Sequence, residues 1–328
     1  FSAIVACEIY FYLLLGAKMY KTMKRTLFFP VLFTFAACVS TLLSCDSAAA
    51  DQVLTRLEQL EKALAKNPDP ALADSLVAMS QEWTALMPDD AARQADGALR
   101  AAKALALTNR AALAQARLKY VLKQYRDTPQ APEAAMLLAA LYKKELGSPA
   151  TAFSIYQLFP EAFPGSDQIA EAKSYLPGNV PPLPARIDSL AVGIINSKTG
   201  QLDARIANDY IQTCELSALL LPKAPDAAKM LYKAGDVSRA AGAPDKALEY
   251  YEQTYTAFPD DERAPEALFM HAFTLDNDLK RYAEAKVLYE AFLKKYPNDD
   301  FADDAQFLLK NLGKSEEEIF KALEEKVK

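Results

Sequence analysis

The chain has 328 residues, 51% apolar and 24% charged, with a formal net charge of −6; this composition supports a sizeable core and excludes a disordered or fibrous chain. Only 10 Gly and 19 Pro against 59 Ala favour close-packed helices over sheets. A single His and four Cys leave too little material for a zinc site, a Cys/His dyad or a Ser/His/Asp triad, and an acidic chain has no electrostatic reason to bind nucleic acid.

No Met precedes Met19, and residues 1–22 read as spurious upstream translation. From Met23 the order is Lys24-Arg25, an uncharged apolar run from Leu27 to Leu43, then Ser44-Cys45. A basic region, an apolar region and a small residue at the cleavage edge are the layout of a bacterial export signal over residues 23–44. Leu42-Leu43-Ser44-Cys45 resembles the lipobox of bacterial lipoproteins. The resemblance implies a diacylglyceryl group on Cys45, which becomes the new N-terminus, and a membrane-anchored domain facing the periplasm; inner or outer membrane stays open. Cleavage there removes four basic residues and one acidic one, leaving a still more acidic chain. Of its cysteines only Cys45 and Cys214 would remain, and Cys214, in an apolar stretch, reads as a small buried hydrophobe.

Residues 45–90 read as a helical hairpin. Leu54, Leu57, Leu60 and Leu64 form an apolar stripe from Asp51 to Lys66, and Ala71–Leu86 supplies its partner after the Asn67-Pro68-Asp69-Pro70 turn. Beyond residue 90 an internal repeat governs the chain. Ala140, Ala152, Tyr156 and Pro164 are spaced by 12, 4 and 8 residues, as are Gly235, Ala247, Tyr251 and Pro259, and again Phe273, Ala285, Tyr289 and Pro297. The last two sets are 38 residues apart. Small residues let two helices cross closely, an aromatic one turn later fills the groove between hairpins, and Pro ends the unit. Ala131-Pro132-Glu133-Ala134 recurs as Ala264-Pro265-Glu266-Ala267 and suits a helix's first turn. A degenerate unit with Ala102, Ala114 and Leu118 precedes the first clear one, with Arg126 in place of Pro. The fold class is therefore all-α, a helical-hairpin solenoid. A first array spans residues 91–176, a Pro-rich linker 177–184, an atypical helix pair 185–224 (Ile187–Asn196 and Leu202–Leu221) and a second array 225–313. In residues 314–328, Ser315 and Glu318 form a capping-box signature for a last helix, with Ile319, Phe320, Leu323 and Val327 on its apolar side.

The small, Ala, aromatic and Pro signature resembles the tetratricopeptide repeat family, whose usual unit is 34 residues. The longer step resembles periplasmic members, including the BamD-type assembly lipoproteins and the YbgF-type envelope-division coordinators; the leucine stripe here is too short for the coiled coil that the YbgF type carries. In that family the first helices of successive hairpins line a concave groove for partner peptides. The resemblance therefore implies groove positions at Lys229, Tyr232, Asp236 and Arg239 in one unit and Met270, Thr274 and Asn277 in the next, with Tyr232 and Met270 as an apolar floor and Tyr251 and Tyr289 buried between hairpins. It implies a non-enzymatic, lipid-anchored scaffold for envelope proteins, with outer-membrane protein assembly, as in the BamD type, one process it could serve. The alternative is a solute- or glycan-binding lipoprotein of nutrient uptake, as in SusD-type proteins, which also combine an anchor with such hairpins but are much longer.

Catalytic and cofactor chemistry find little footing. Asp260-Asp261-Glu262, Asp299-Asp300 and Asp303-Asp304 sit at Pro-containing turns before helices, where the helix dipole favours carboxylates, and lack calcium-loop spacing. His271 reads as a core-edge residue with no nucleophile beside it, and Trp83 and the tyrosines as core. No catalytic, metal or cofactor-binding residue is assigned.

Overall fold

The computed structural model describes residues 49–315 and 317–318, so Cys45 and the leader lie outside the described residues. Two compact units divide between Asp90 and Ala91.

In the first unit, α1 covers residues 49–66 and α2 covers Pro70–Ala85. The turn between them follows from its residues: Asp69 accepts N–H bonds from Ala71 (2.8 Å) and Leu72 (3.0 Å), and Pro70 occupies the first turn, where its missing N–H costs nothing. Leu57 and Leu64 of the predicted stripe are fully buried, as are Leu76 and Ala73 on α2, with Trp83 close behind.

The second unit is a succession of helices: α3 (Ala91–Leu107), α4 (Ala111–Gln124), α5 (Gln130–Lys144), α6 (Pro149–Ala162), α7 (Ile169–Ser174), α8 (Leu183–Gly193), α9 (Ala204–Leu220), α10 (Ala227–Ala240), α11 (Pro244–Ala257), α12 (Arg263–Phe273), α13 (Tyr282–Lys295) and α14 (Ala302–Asn311). Pairs α3/α4, α5/α6, α10/α11 and α12/α13 are hairpins, each first helix also packing on the hairpin before it within its array. Among the described residues the extended backbone amounts to one isolated bridge, Ile195 to Leu202.

The repeat positions are the core. Ala152, Ala247 and Ala285 are fully buried, as are Tyr251 and Tyr289, with Tyr156 at 2% exposure. Ala114 and Leu118 of the degenerate unit are equally buried. Arg126, standing where Pro was expected, has its own task. Its guanidinium donates to the carbonyls of Ala162 (3.1 Å) and Leu219 (3.3 Å) at the ends of α6 and α9, and lies 5.5 Å from the Phe163 ring centre. A cation at two helix C-termini is stabilising.

Each hairpin tip contains a residue in the left-handed region: Asn109 (φ 58°), Gly147 (φ 66°), Gly242 (φ 77°) and Lys280 (φ 56°). Asn109 and Gly147 are 38 residues apart, as are Gly242 and Lys280, so the step governs the first array as well. Lys280 carries a Cβ where its counterpart has none. Lys280→Gly is expected to raise stability by about 0.5–1 kcal/mol, the strain relieved exceeding the added chain entropy; a lowered urea midpoint would contradict this.

The linker is shorter than its prolines suggest. Helix α8 starts at Leu183 with Pro184 in its first turn, a place proline tolerates. The atypical pair is also no peripheral insertion: α9 packs on α4, α6, α8 and α10.

Candidate functional site

Two concentrations of polar side chains stand out in the second unit. The first lies where α10 and α12 end. Gly235 on α10 faces α11 so closely that a Cβ there would lie 2.7 Å from the Tyr251 ring. The ring is held against the helix, and its hydroxyl donates to Asp236 Oδ1 (2.8 Å). One turn on, Arg239 makes a two-point ion pair with Asp278 (Nε to Oδ2 2.5 Å, Nη2 to Oδ1 3.2 Å) and stacks its guanidinium over Phe273 at 4.9 Å. Asp278 is reached because α12 passes into a π-helical turn over Thr274–Asp278. Widened turns of this kind carry carboxylates out of ordinary helical register.

Asp236, Arg239, Ala240, Gly242, Pro244, Tyr251 and Asp278 line an open cleft of about 660 Å³. Its electrostatics are set by pairing. Burial holds the Asp236 carboxyl above its ordinary value despite the Tyr251 hydrogen bond. Burial opposes ionisation of Asp278 too, but the hydrogen bonds from Arg239 and Asn277 outweigh it and the group sits low. The hydrogen bond to Asp278 raises Arg239.

Of the groove residues expected from sequence, Asp236 and Arg239 do line this cleft. Lys229 and Asn277 are exposed, and Asn277 donates to Asp278 (2.8 Å). Met270 is partly buried. Two of the expectations are corrected. Tyr232 is only 8% exposed, its ring 5.8 Å from Tyr251 and beneath Arg263 at 5.6 Å. Thr274 is fully buried, its hydroxyl donating to the Met270 carbonyl at 2.7 Å. Tyr232 and Met270 do share one cluster with Ala247, Tyr251 and Ala267, so the step between them is right, but they form core instead of floor. Asp278, Gly242 and Pro244 were not anticipated; the Gly-Ala-Pro tip was the legible signal, whereas the π-turn that brings Asp278 round has none.

The second concentration centres on α9. Glu215 accepts from Lys119 Nζ of α4 (2.9 Å) and from the Tyr250 hydroxyl of α11 (2.6 Å). Gln212 accepts from Lys119 Nζ (2.8 Å) and the Tyr142 hydroxyl of α5 (2.5 Å). Asp209 accepts from Ser148, which caps α6, and Thr213 pairs with Ser154 at 3.3 Å. Burial disfavours the Glu215 charge, but Lys119 and Tyr250 reverse the balance and hold its carboxyl below the usual range. On its other side α9 contributes Tyr210, Cys214 and Ala218 to an apolar cluster with Ala227, Met230, Leu231 and Ala234 of α10. Burial pushes the Cys214 thiol up to about 12, so it stays protonated. Helix α9 thus joins the two arrays, by hydrogen bonds on one face and apolar packing on the other.

Residues 229–261 and 266–299 match the tetratricopeptide repeat family. Both matched segments fall on hairpins of the second array, and together they make up less than a quarter of the chain. The matches cover α10 to α13, the hairpins that build the cleft. Comparison with curated proteins finds no match. Tetratricopeptide hairpins generally serve protein–protein interaction. Among the described residues no group of three His, Cys, Asp or Glu is placed to hold a metal ion, and no helix is long and apolar enough to cross a membrane.

His271 lies in the second matched segment, its Nδ1 3.2 Å from the Tyr255 hydroxyl. Burial, aided by Arg281 and opposed by Glu284, pushes its pKa down to about 4. The unfolded chain therefore takes up a proton near pH 6.5 that the folded chain refuses until about pH 4, so stability falls with pH across that window. Between pH 7 and 5 the loss is expected to be about 2 kcal/mol, from RT times the logarithm of the proton-binding ratio. Urea unfolding at both pH values tests this, with His271→Gln flattening the dependence. A flat wild-type profile would contradict it.

Proposed function

We propose that this chain is a lipid-anchored tetratricopeptide scaffold that recruits protein partners in the bacterial cell envelope, with outer-membrane protein assembly the process that suits it. The observation that carries this reading is the cleft of Asp236, Arg239, Tyr251 and Asp278 on the repeat hairpins. Its polar groups are fixed by one another before a partner arrives, which lowers the ordering cost of binding. Anchoring rests on the Leu42-Leu43-Ser44-Cys45 sequence after a basic and apolar leader.

The reading is tested in cells in two parts. Cys45→Ser is expected to abolish palmitate labelling and to release or mis-process the protein; labelling that survives would remove this anchor. For the cleft, the Arg239–Asp278 pair is partly exposed (28% and 23%), so Arg239→Gln with Asp278→Asn is expected to cost less than about 1 kcal/mol. Recovery of the main crosslinked envelope partner is expected to fall at least about tenfold, a binding loss of about 1.4 kcal/mol. Undiminished recovery would overturn the cleft as the partner site.

A cleft of this volume also falls in the range of small-ligand sites, which favours a second reading, a solute- or glycan-binding lipoprotein. Saturable binding of an oligosaccharide by calorimetry, lost in the same double variant, would decide for it.

A further inference from the structure

The charges of the repeat cleft are unequally matched. Asp278 is occupied: both its oxygens take the Arg239 guanidinium, and the Asn277 amide adds a further bond at 2.8 Å. Arg239 is occupied in turn, with its edge on Asp278 and its face on the Phe273 ring. Asp236 differs. Its Oδ1 accepts from the Tyr251 hydroxyl (2.8 Å), and among the described residues it makes no ion pair. Burial, and after it the neighbouring Glu266, hold its carboxyl above the ordinary value, while Glu266 itself is taken by Arg263. A half-buried carboxylate without a cation is a costly arrangement that a cation from outside relieves.

The walls suit a long basic side chain. Ala240, Pro244 and the Tyr251 ring line the same cleft, and the alkyl stem of a lysine or arginine covers apolar surface while its head stays on polar groups. A carboxylate from a partner meets the opposite conditions, because Arg239 is already paired and Asp236 repels it. The net charge of −6 draws basic segments toward the chain as a whole. One repeat on, Tyr289 backs Asp276 in the same manner (3.4 Å), and Asp276 likewise makes no ion pair among the described residues, but it does not line the cleft. It is therefore a natural control for Asp236.

We propose that the cleft selects partner segments carrying a lysine or arginine, whose charged head pairs with Asp236 and whose stem lies against Pro244 and Tyr251. The inference rests on the cleft being the partner site and adds the chemistry that it accepts.

Panning of displayed random linear peptides on the immobilised full chain tests the proposal. The counter-targets are Asp236→Asn, which keeps an acceptor for Tyr251, Asp276→Asn, and Arg239→Gln/Asp278→Asn. Peptides with a lysine or arginine are expected to be enriched, to bind wild type and Asp276→Asn alike, and to lose at least about tenfold in affinity on Asp236→Asn, the lower range for a close interfacial ion pair. Replacing that basic residue by its uncharged analogue, norleucine or citrulline, is expected to cost a similar factor on wild type and less than about twofold on Asp236→Asn, which couples the two charges. Peptides that need Arg239 and Asp278 yet bind Asp236→Asn at full strength, or that carry no basic residue, would overturn the proposal and leave the cleft as the partner site. Equal loss on Asp276→Asn would overturn it as well, as a general loosening of the tyrosine-backed carboxylates. Peptides indifferent to every variant, or no enrichment, would overturn both the proposal and the cleft.

Discussion

Replacing Tyr251 by alanine is expected to cost about 3–5 kcal/mol, as for other large-to-small changes at filled core sites. The ring is fully buried, packs on Tyr232 and Gly235, and satisfies Asp236 through its hydroxyl. In an array of this size the melting temperature is expected to drop by on the order of 10 °C. The reciprocal change separates packing from helix propensity. Gly235→Ala gains about 1 kcal/mol of helix propensity, but its new methyl would sit 2.7 Å from the ring, and overpacking a filled core costs typically about 1–3 kcal/mol. We therefore expect a net loss for Gly235→Ala in the wild type and a gain for the same change in the Tyr251→Leu background, where room exists. Thermal unfolding of the four proteins of this cycle is the check. A stabilising Gly235→Ala in the wild type would show that the ring does not define the helix approach.

The second large effect concerns the junction at α9. Glu215→Ala leaves the Lys119 ammonium without its carboxylate and takes the acceptor from Tyr250. Removing one partner of such a largely buried pair is expected to cost about 3 kcal/mol. Because α4, α9 and α11 meet there, unfolding of the variant is expected to separate the first array from the second, with a transition that the wild type does not resolve. The double replacement Lys119→Met/Glu215→Leu is expected to recover more than half of the loss, since no charge is then stranded. The sign of the pH dependence follows from the lowered Glu215 pKa: its contribution is present above the ordinary carboxyl value and is lost as pH falls through the folded one. Equal stability of wild type and Glu215→Ala in urea, at pH 7, would mean that apolar packing alone holds α9 in place.

How much of this was legible in the sequence differed by the range of the interaction. The Ala and Tyr positions at steps of 4 within a hairpin and 38 between hairpins mark the buried core, because each packs against elements at a fixed sequence distance. The left-handed residues at Asn109 and Lys280 escaped notice, since neither is glycine, although their partners Gly147 and Gly242 lie one step away. The role of α9 could not be read. Lys119 and Glu215 are 96 residues apart, and a polar pair across that distance leaves no local period. The expected groove residues divide between cleft and core for a geometric reason: position in the repeat identifies the helix, but a residue's rotation about the helix axis decides which way it faces. Asp236 and Arg239 fall on the open side and Tyr232 beneath it. On α12 the counting from Met270 to Thr274 and Asn277 presumes an ordinary helix, and the π-turn shifts the cleft residue to Asp278.

The most direct test of partner recruitment through the repeat cleft is site-specific photo-crosslinking in the cells that make the protein. A photoreactive side chain at Asn277, exposed and bonded to Asp278 at the cleft, is compared with one at Glu252, exposed on α11. The account predicts a discrete protein adduct from position 277 that is absent from position 252 and disappears with Arg239→Gln/Asp278→Asn. Adducts of equal yield from both positions, or an adduct at 277 that survives the double substitution, would contradict it.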